Sequence, residues 1–288
     1  MSATAFLYNS MNFELYNQKI LALFSLYINE CPDAIDEAMI RETMQYCGVD
    51  AEEAYRILLS GILEMRDDKV LRGQYLPHLV KHLDYEKYKN DPYMQTVKAT
   101  GVRSGDWEFA ERAFRPYEAF VYDESELTAD GRLLPKIGFF DREYRFPCIL
   151  EGGREWMLIT PNEIETMKAP IAAARGEVVT YGLGLGYFPF MVSAKENVTS
   201  ATVIEQDARV IELFEKHILP QFPHRDKIRV VCEDAFTFAE RKQKFDFVFA
   251  DIWHDPSDGV DAYLRLKSLE RPDTAYAYWI EKTLQYYT

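Results

Sequence analysis

Four short apolar runs constrain this chain most: 177-EVVTY-181, 200-SATVIE-205, 227-KIRVV-231 and 245-FDFVFA-250. Between them lie stretches of helical periodicity, over 187 to 196, 207 to 218 and, shorter, 235 to 241. Strands that are apolar throughout must be covered on both faces, and intervening helices supply the crossovers that parallel pairing needs. The expectation is an α/β, doubly wound, mainly parallel Rossmann-like sheet. On such sheets ligands bind outside the carboxyl ends of the strands, near the point where strand order reverses.

The first of those carboxyl ends is unusual. In 178-VVTYGLGLGYFPF-190, Gly182, Gly184 and Gly186 crowd the turn into the next helix. Glycine is costly in regular structure and useful where backbone bends sharply or approaches a ligand. A tight ligand-free turn would also use it. An acid, Glu205, ends the next strand, 23 residues after Gly182, about the separation a ribose-binding carboxylate needs. A dinucleotide fingerprint would place its third glycine at 187, where Tyr187 stands. The spacing here is GxGxG.

That loop, 203-VIEQD-207, 232-CEDAF-236 and 245-FDFVFADIWHD-255 occur in the order and at the strand ends of one family. Over roughly residues 175 to 255 the chain resembles the class I S-adenosylmethionine-dependent methyltransferases. The resemblance implies S-adenosyl-L-methionine as cofactor. It implies that the backbone from Tyr181 through Gly182, Gly184 and Gly186 passes the methionine part, and that Glu205, with Gln206 beside it, takes both ribose hydroxyls. Asp234 would take the adenine amino group, with Ala235 and Phe236 beside the ring. Asp251 would face the cofactor amino group or the acceptor. In two respects the chain departs from the family. Thr180 stands where an acid often precedes the glycines, and only 38 residues follow Ala250. Within them, 274-TAYAYWIEKTLQYY-287 has room for a fifth strand and a short helix but not for a closing hairpin. Either the sheet is short or strands from 118 to 160 complete its edge.

Methyl transfer from a sulfonium requires alignment, exclusion of water and, for a protonated acceptor, a base. The segment 251-DIWHDPSDG-259 offers candidates. His254 is a candidate general base, because the unperturbed imidazole suits proton transfer near neutrality. Asp255 would orient it or bind a cationic acceptor, Asp251 would face the acceptor, and Trp253 would wall the pocket or meet an amine through its ring. The plain alternative is that His254 and Asp255 build the turn before Pro256 and that Trp253 is core. Thr160, Glu163 and Glu165 precede the glycine loop and are secondary candidates, with a surface helix the expected explanation. A rival reading is aminopropyl transfer. The spermidine synthases resemble this chain in the ribose-binding acid and in an Asp-rich stretch after the fourth strand, near which 251-DIWHDP-256 is one residue longer. Their Gly-Gly-Gly-Asp-Gly loop carries an acid where Leu183 or Leu185 stands here. A third reading is a non-catalytic cofactor-binding protein.

A net charge of −14 argues against a nucleic-acid partner, which needs clustered Lys and Arg. A small-molecule acceptor is expected. Cys31, Cys47, Cys148 and Cys232 lack metal-binding spacing, so no metal site is expected, and they read as buried thiols. With neither a signal-like start nor a membrane-length apolar run, the expected location is cytoplasmic, without membrane contact. By domain, residues 1-117 read as a helical front, 118-160 as a small antiparallel β segment and 161-288 as the cofactor-binding sheet. In the front, helices over about 11 to 65 and a hairpin at 65-MRDDKVLRGQYL-76 outline a winged helix, suited to homodimer contact or a substrate lid. Residues 161-PNEIETMKAPIAAARG-176 read as one helix capped by Thr160.

Overall fold

The computed structural model describes residues 3–98 and 101–288, with side chains from residue 13 onward. The chain forms two compact units: Met1–Lys87 with Ala113–Arg145, and Tyr88–Arg112 with Phe146–Thr288.

In the first unit, helices α1 (Ala3–Glu30), α2 (Glu37–Cys47) and α3 (Ala51–Ile62) start and stop at sequence punctuation. Asp36 accepts the Met39 N–H and Asp50 the Glu53 N–H, satisfying donors that a helix start leaves free. Gly48 ends α2 in the left-handed conformation. Ile20, Phe24 and Tyr27 of α1 join Tyr55 and Leu59 of α3 in one core with Leu134, Ile137 and Phe139. Those last three lie on Leu133–Phe139, the central strand of a three-stranded sheet. It runs parallel to Val80–His82 and antiparallel to Phe120–Leu127. The hairpin expected over 65 to 76 does not form. Asp68 instead accepts the N–H groups of Val70 and Leu71 and starts a wide turn, Leu71–Tyr75, that continues as the helix Leu76–Leu79. Leu71, Tyr75, Leu76 and Leu79 are buried, a helical spacing that two-residue alternation cannot bury. No wing exists at that place.

The second unit holds the parallel sheet. Its strands are β1 (Gly176–Tyr181), β2 (Val198–Glu205), β3 (Ile228–Cys232), β4 (Phe247–Ala250) and β5 (Ala275–Tyr278). They lie in the order 3-2-1-4-5, all parallel. The sheet is therefore short: β5 is the strand expected in the C-terminal segment, and no antiparallel pair follows it. Strands between 118 and 160 do not complete its edge; Tyr144–Glu151 and Arg154–Leu158 belong to a separate four-stranded sheet with Val102–Ser104 and Trp107–Phe114.

The segment expected as one helix over 161 to 176 is two, α4 (Pro161–Thr166) and α5 (Lys168–Ala173). Pro170 lacks the N–H that would bond the Thr166 carbonyl, so the first helix stops there. Thr160 occupies the N-cap position without a side-chain bond. Helices α6 (Tyr187–Ser193), α7 (Ala208–Leu213), α8 (Ala235–Glu240), α9 (Pro256–Ser268) and α10 (Glu281–Tyr286) complete this unit's crossovers and end. Among the described residues no helix is long and apolar enough to cross a membrane. Of the cysteines only Cys148 is buried; Cys31 is half-buried, and Cys47 and Cys232 are exposed, contrary to the expectation of four buried thiols.

Candidate functional site

Register brings the strand tips level. Tyr181, Ala250 and Tyr278 are aligned across β1, β4 and β5, and Glu205 pairs with Cys232 across β2 and β3. The order of strands reverses at β1, so the loop after it lies where ligands of this architecture bind.

Gly182 and Gly184 both have positive φ, 93° and 49°. A Cβ on Gly182 would strike the Asp251 carbonyl, and one on Gly184 would strike the thioether of Met157, on Arg154–Leu158. Gly186 caps α6 and packs against Phe214. Close packing within the unit thus explains all three glycines, and it sets the loop tightly against the end of β4. The loop is also buttressed from below. The Tyr93 hydroxyl donates to the Leu185 carbonyl at 2.6 Å, and the Tyr187 hydroxyl donates to Asp91 at 3.0 Å. Tyr187, the bulky residue in the dinucleotide glycine slot, is a structural anchor.

Glu205 spans the tips of β1 and β2. Its Oε2 accepts the Leu183 N–H at 3.2 Å and its Oε1 accepts the Asp207 N–H at 2.9 Å. Each oxygen has two lone pairs, so one per oxygen remains for a diol. The sequence-predicted ribose acid and glycine loop are thereby joined by a direct bond. Gln206 beside it is exposed, its carbonyl facing the Cys232 thiol. Asp234 stands at the tip of β3 as the N-cap of α8, its Oδ1 accepting from the Thr237 N–H and hydroxyl at 2.8 and 3.0 Å. Among the described residues its Oδ2 has no partner. Ala235 is buried behind it, and the Arg265 guanidinium covers the Phe236 ring. The side chain of Tyr181 turns away from the loop to Phe238, 6.3 Å between ring centres, and burial pushes its hydroxyl pKa up. Only its backbone reaches the loop, where its carbonyl accepts the Asp251 N–H at 2.9 Å.

Asp251 follows β4 directly. Burial pushes its carboxyl up to about 7. Glu163 of α4 is raised too, by burial and then by repulsion from Asp251. Both residues are half-buried in accessible area. That is consistent with strong desolvation when solvent reaches a group from one side and protein crowds it from the others. Among the described residues neither carboxylate accepts a hydrogen bond or meets a basic side chain. Sequence reasoning set Glu163 aside as surface helix. Its one available signal was an acid just before the glycine loop.

Next along the loop, the Trp253 indole is 5% exposed and its N–H has no acceptor among the described residues. His254 is exposed, with Nδ1 3.0 Å from Asp258 Oδ2 and its ring edge-on to Trp156 at 4.7 Å. Asp255 does not orient it. Asp255 caps α9, accepting the Ser257 N–H at 2.6 Å in a capping box with Asp258. Thr160 is buried, and Glu165 is taken up by the Tyr88 hydroxyl at 2.7 Å and Lys168 at 2.5 Å.

Residues 177–265 match the family model described as the spermine/spermidine synthase domain. The match runs from β1 through most of α9 and leaves the first unit outside. No curated protein sequence matches the chain. Among solved structures, a precorrin-8w decarboxylase from Methanobacterium thermoautotrophicum aligns at 14% identity over 42% of this chain and 64% of that one, with a TM-score of 0.31. The chain thus spans less than two thirds of that structure's length. The finding at this level is a mixed α/β unit with a five-stranded parallel sheet, of which β1 to β4 and most of α9 lie in residues similar to the spermine/spermidine synthase domain.

Proposed function

We propose that the second unit binds an S-adenosyl sulfonium nucleoside and transfers an alkyl group from it to a small-molecule amine, with methyl transfer as the principal reading. The observation that carries it is Glu205, fixed by the Leu183 and Asp207 N–H groups against the glycine loop at the reversal point of the sheet. The residues fit the nucleoside: Glu205 keeps a free lone pair on each oxygen for the ribose hydroxyls, and Asp234 Oδ2 and Ala235 stand at the next strand tip for the adenine. Bound there, S-adenosyl-L-methionine would supply an electrophilic carbon whose loss relieves the positive charge on sulfur.

The chain's own contribution is binding, orientation and proton handling. Leu183, Leu185 and Met157 line the loop with apolar surface that excludes water. The carboxyls of Asp251 and Glu163, unmatched by any described cation, favour a positively charged acceptor. His254, with Nδ1 held by Asp258, offers its other ring nitrogen as a second base.

Aminopropyl transfer is the second reading, favoured by the match of residues 177–265 to the spermine/spermidine synthase domain. The two carboxyls also favour it, because a decarboxylated nucleoside brings an ammonium there and no opposing carboxylate. Thermal-shift titration separates the two, since a ligand that binds only the folded state raises the melting temperature by mass action. S-adenosyl-L-methionine is expected to raise it more than the decarboxylated form. The reverse order would favour aminopropyl transfer, and no shift with either would overturn both.

A further inference from the structure

Glu163 and Asp251 come from different parts of the chain, and the Asp251 charge acts on the Glu163 carboxyl. The Trp279 indole, just past β5, donates to the Thr166 hydroxyl of α4 at 3.0 Å, and the Trp279 N–H donates to the Ala250 carbonyl at 2.9 Å. These bonds pin α4 across the tips of β4 and β5. Glu163 lies three residues before Thr166, on the same helix face, and Asp251 is the residue after Ala250. The backbone at this corner is itself held in an uncommon state: Ile280 has φ 48°, rare for a β-branched residue.

The charged groups around the pair are otherwise engaged. Glu165 binds Tyr88 and Lys168, Glu281 binds Tyr263 and Lys267, and Asp258 binds His254. Asp255 caps α9. The nearby Tyr181 and Tyr278 hydroxyls are both pushed up by burial and stay neutral. Among the described residues the two carboxyls therefore share a desolvated corner with no basic side chain and no hydrogen-bond donor to either. Such an arrangement weakens the fold, and perturbed, unpaired carboxyls of this kind mark functional sites.

We propose that Glu163 is a catalytic residue: with Asp251 it forms a proton-sharing carboxylate pair that takes the proton a primary ammonium must lose before its nitrogen can attack. This rests on the alkyl-transfer reading. A pair that shares one proton carries one negative charge, and an entering ammonium makes the corner neutral. One N–H bond then breaks and one carboxyl O–H bond forms. The electron pair stays on nitrogen as the nucleophile, and the fully protonated pair later returns its proton to water. Nothing is oxidised or reduced.

A carboxyl with a raised folded-state pKa binds protons more tightly in the fold, so stability is greatest at acid pH and falls as pH rises toward about 7. The melting temperature of the free wild-type protein is expected to fall between about pH 5 and pH 8. Glu163→Gln should flatten that fall and raise the melting temperature at the alkaline end. Without cofactor, calorimetry should show linear primary alkylamines binding the wild type, and binding Glu163→Gln about tenfold or more weakly. Alcohols of equal length should bind neither.

Amine binding undiminished in Glu163→Gln, or a wild-type melting temperature indifferent to pH over this range, would overturn the pair. Should the variant not fold, Asp251→Asn and the wild-type pH series decide the same question. If amines bind in a Glu163-dependent way but the nucleoside gives no shift, the alkyl-transfer reading falls and the carboxylate pair stands as an amine site.

Discussion

The Nδ1 atom of His254 lies 3.0 Å from Oδ2 of Asp258, four residues along, so the histidine is oriented by the first turn of α9. Asp258 also accepts the N–H groups of His254 and Asp255. Burial works to raise its pKa, but these donors outweigh it and the carboxyl ends below its ordinary value. A lowered carboxyl adds stability above its unfolded pKa and loses it as pH falls through the folded one. Asp258→Asn should therefore lower the melting temperature at neutral pH, and the gap should close below about pH 4. A gap that persists in acid would deny the ionic part of the contact.

Asp255 is a helix cap by geometry. Asp255→Ala should cost about 1 kcal/mol in urea unfolding, the usual loss for a cap. Its effect on turnover should be smaller than that of His254→Ala once both are assayed well below their melting temperatures.

The glycine loop invites a double-mutant cycle. Gly184→Ala must displace Met157 and hold alanine at φ 49°, and should destabilise by about 1–3 kcal/mol. Removing the obstacle in Gly184→Ala/Met157→Ala should recover the steric part and leave the backbone part. Strict additivity in chemical denaturation would show that the two residues do not collide.

Glu205→Ala should abolish the nucleoside thermal shift. It also strips the acceptor from the Leu183 and Asp207 N–H groups, with an expected loss of about 1–3 kcal/mol. Glu205→Gln retains the shape but turns an amide toward one of those donors, so it should lose the shift with a smaller loss of stability.

Tyr93→Phe leaves the Leu185 carbonyl without its buried donor, for about 1–3 kcal/mol. Because that carbonyl belongs to the glycine loop, nucleoside affinity should weaken with stability, although Tyr93 sits beneath the loop. Isothermal titration of the variant against the wild type measures the coupling.

The legible parts of this chain are those governed by local chemistry. Alternating apolar strands and helices specify parallel pairing, since each buried strand needs cover on two faces. Asp36, Gly48 and Asp50 mark helix ends because free N–H groups and left-handed turns are satisfied within a few residues. Glu205 and the glycines were visible for the same reason, as features of adjacent strand tips. Where the local signal was ambiguous, the reading failed. The turn-forming residues of 65 to 76 suggested a hairpin, but Leu71, Tyr75, Leu76 and Leu79 found a core that rewards helical spacing.

What the amino-acid order determined by itself, then, is the parallel sheet, its glycine loop and the acid beside it. Tertiary structure alone decided which acids meet: Glu163 with Asp251, Asp258 rather than Asp255 with His254, and Met157 against Gly184. The reason is physical. Backbone bonding and side-chain period act over a few residues, whereas desolvation and charge repulsion depend on neighbours that only the folded chain brings within reach.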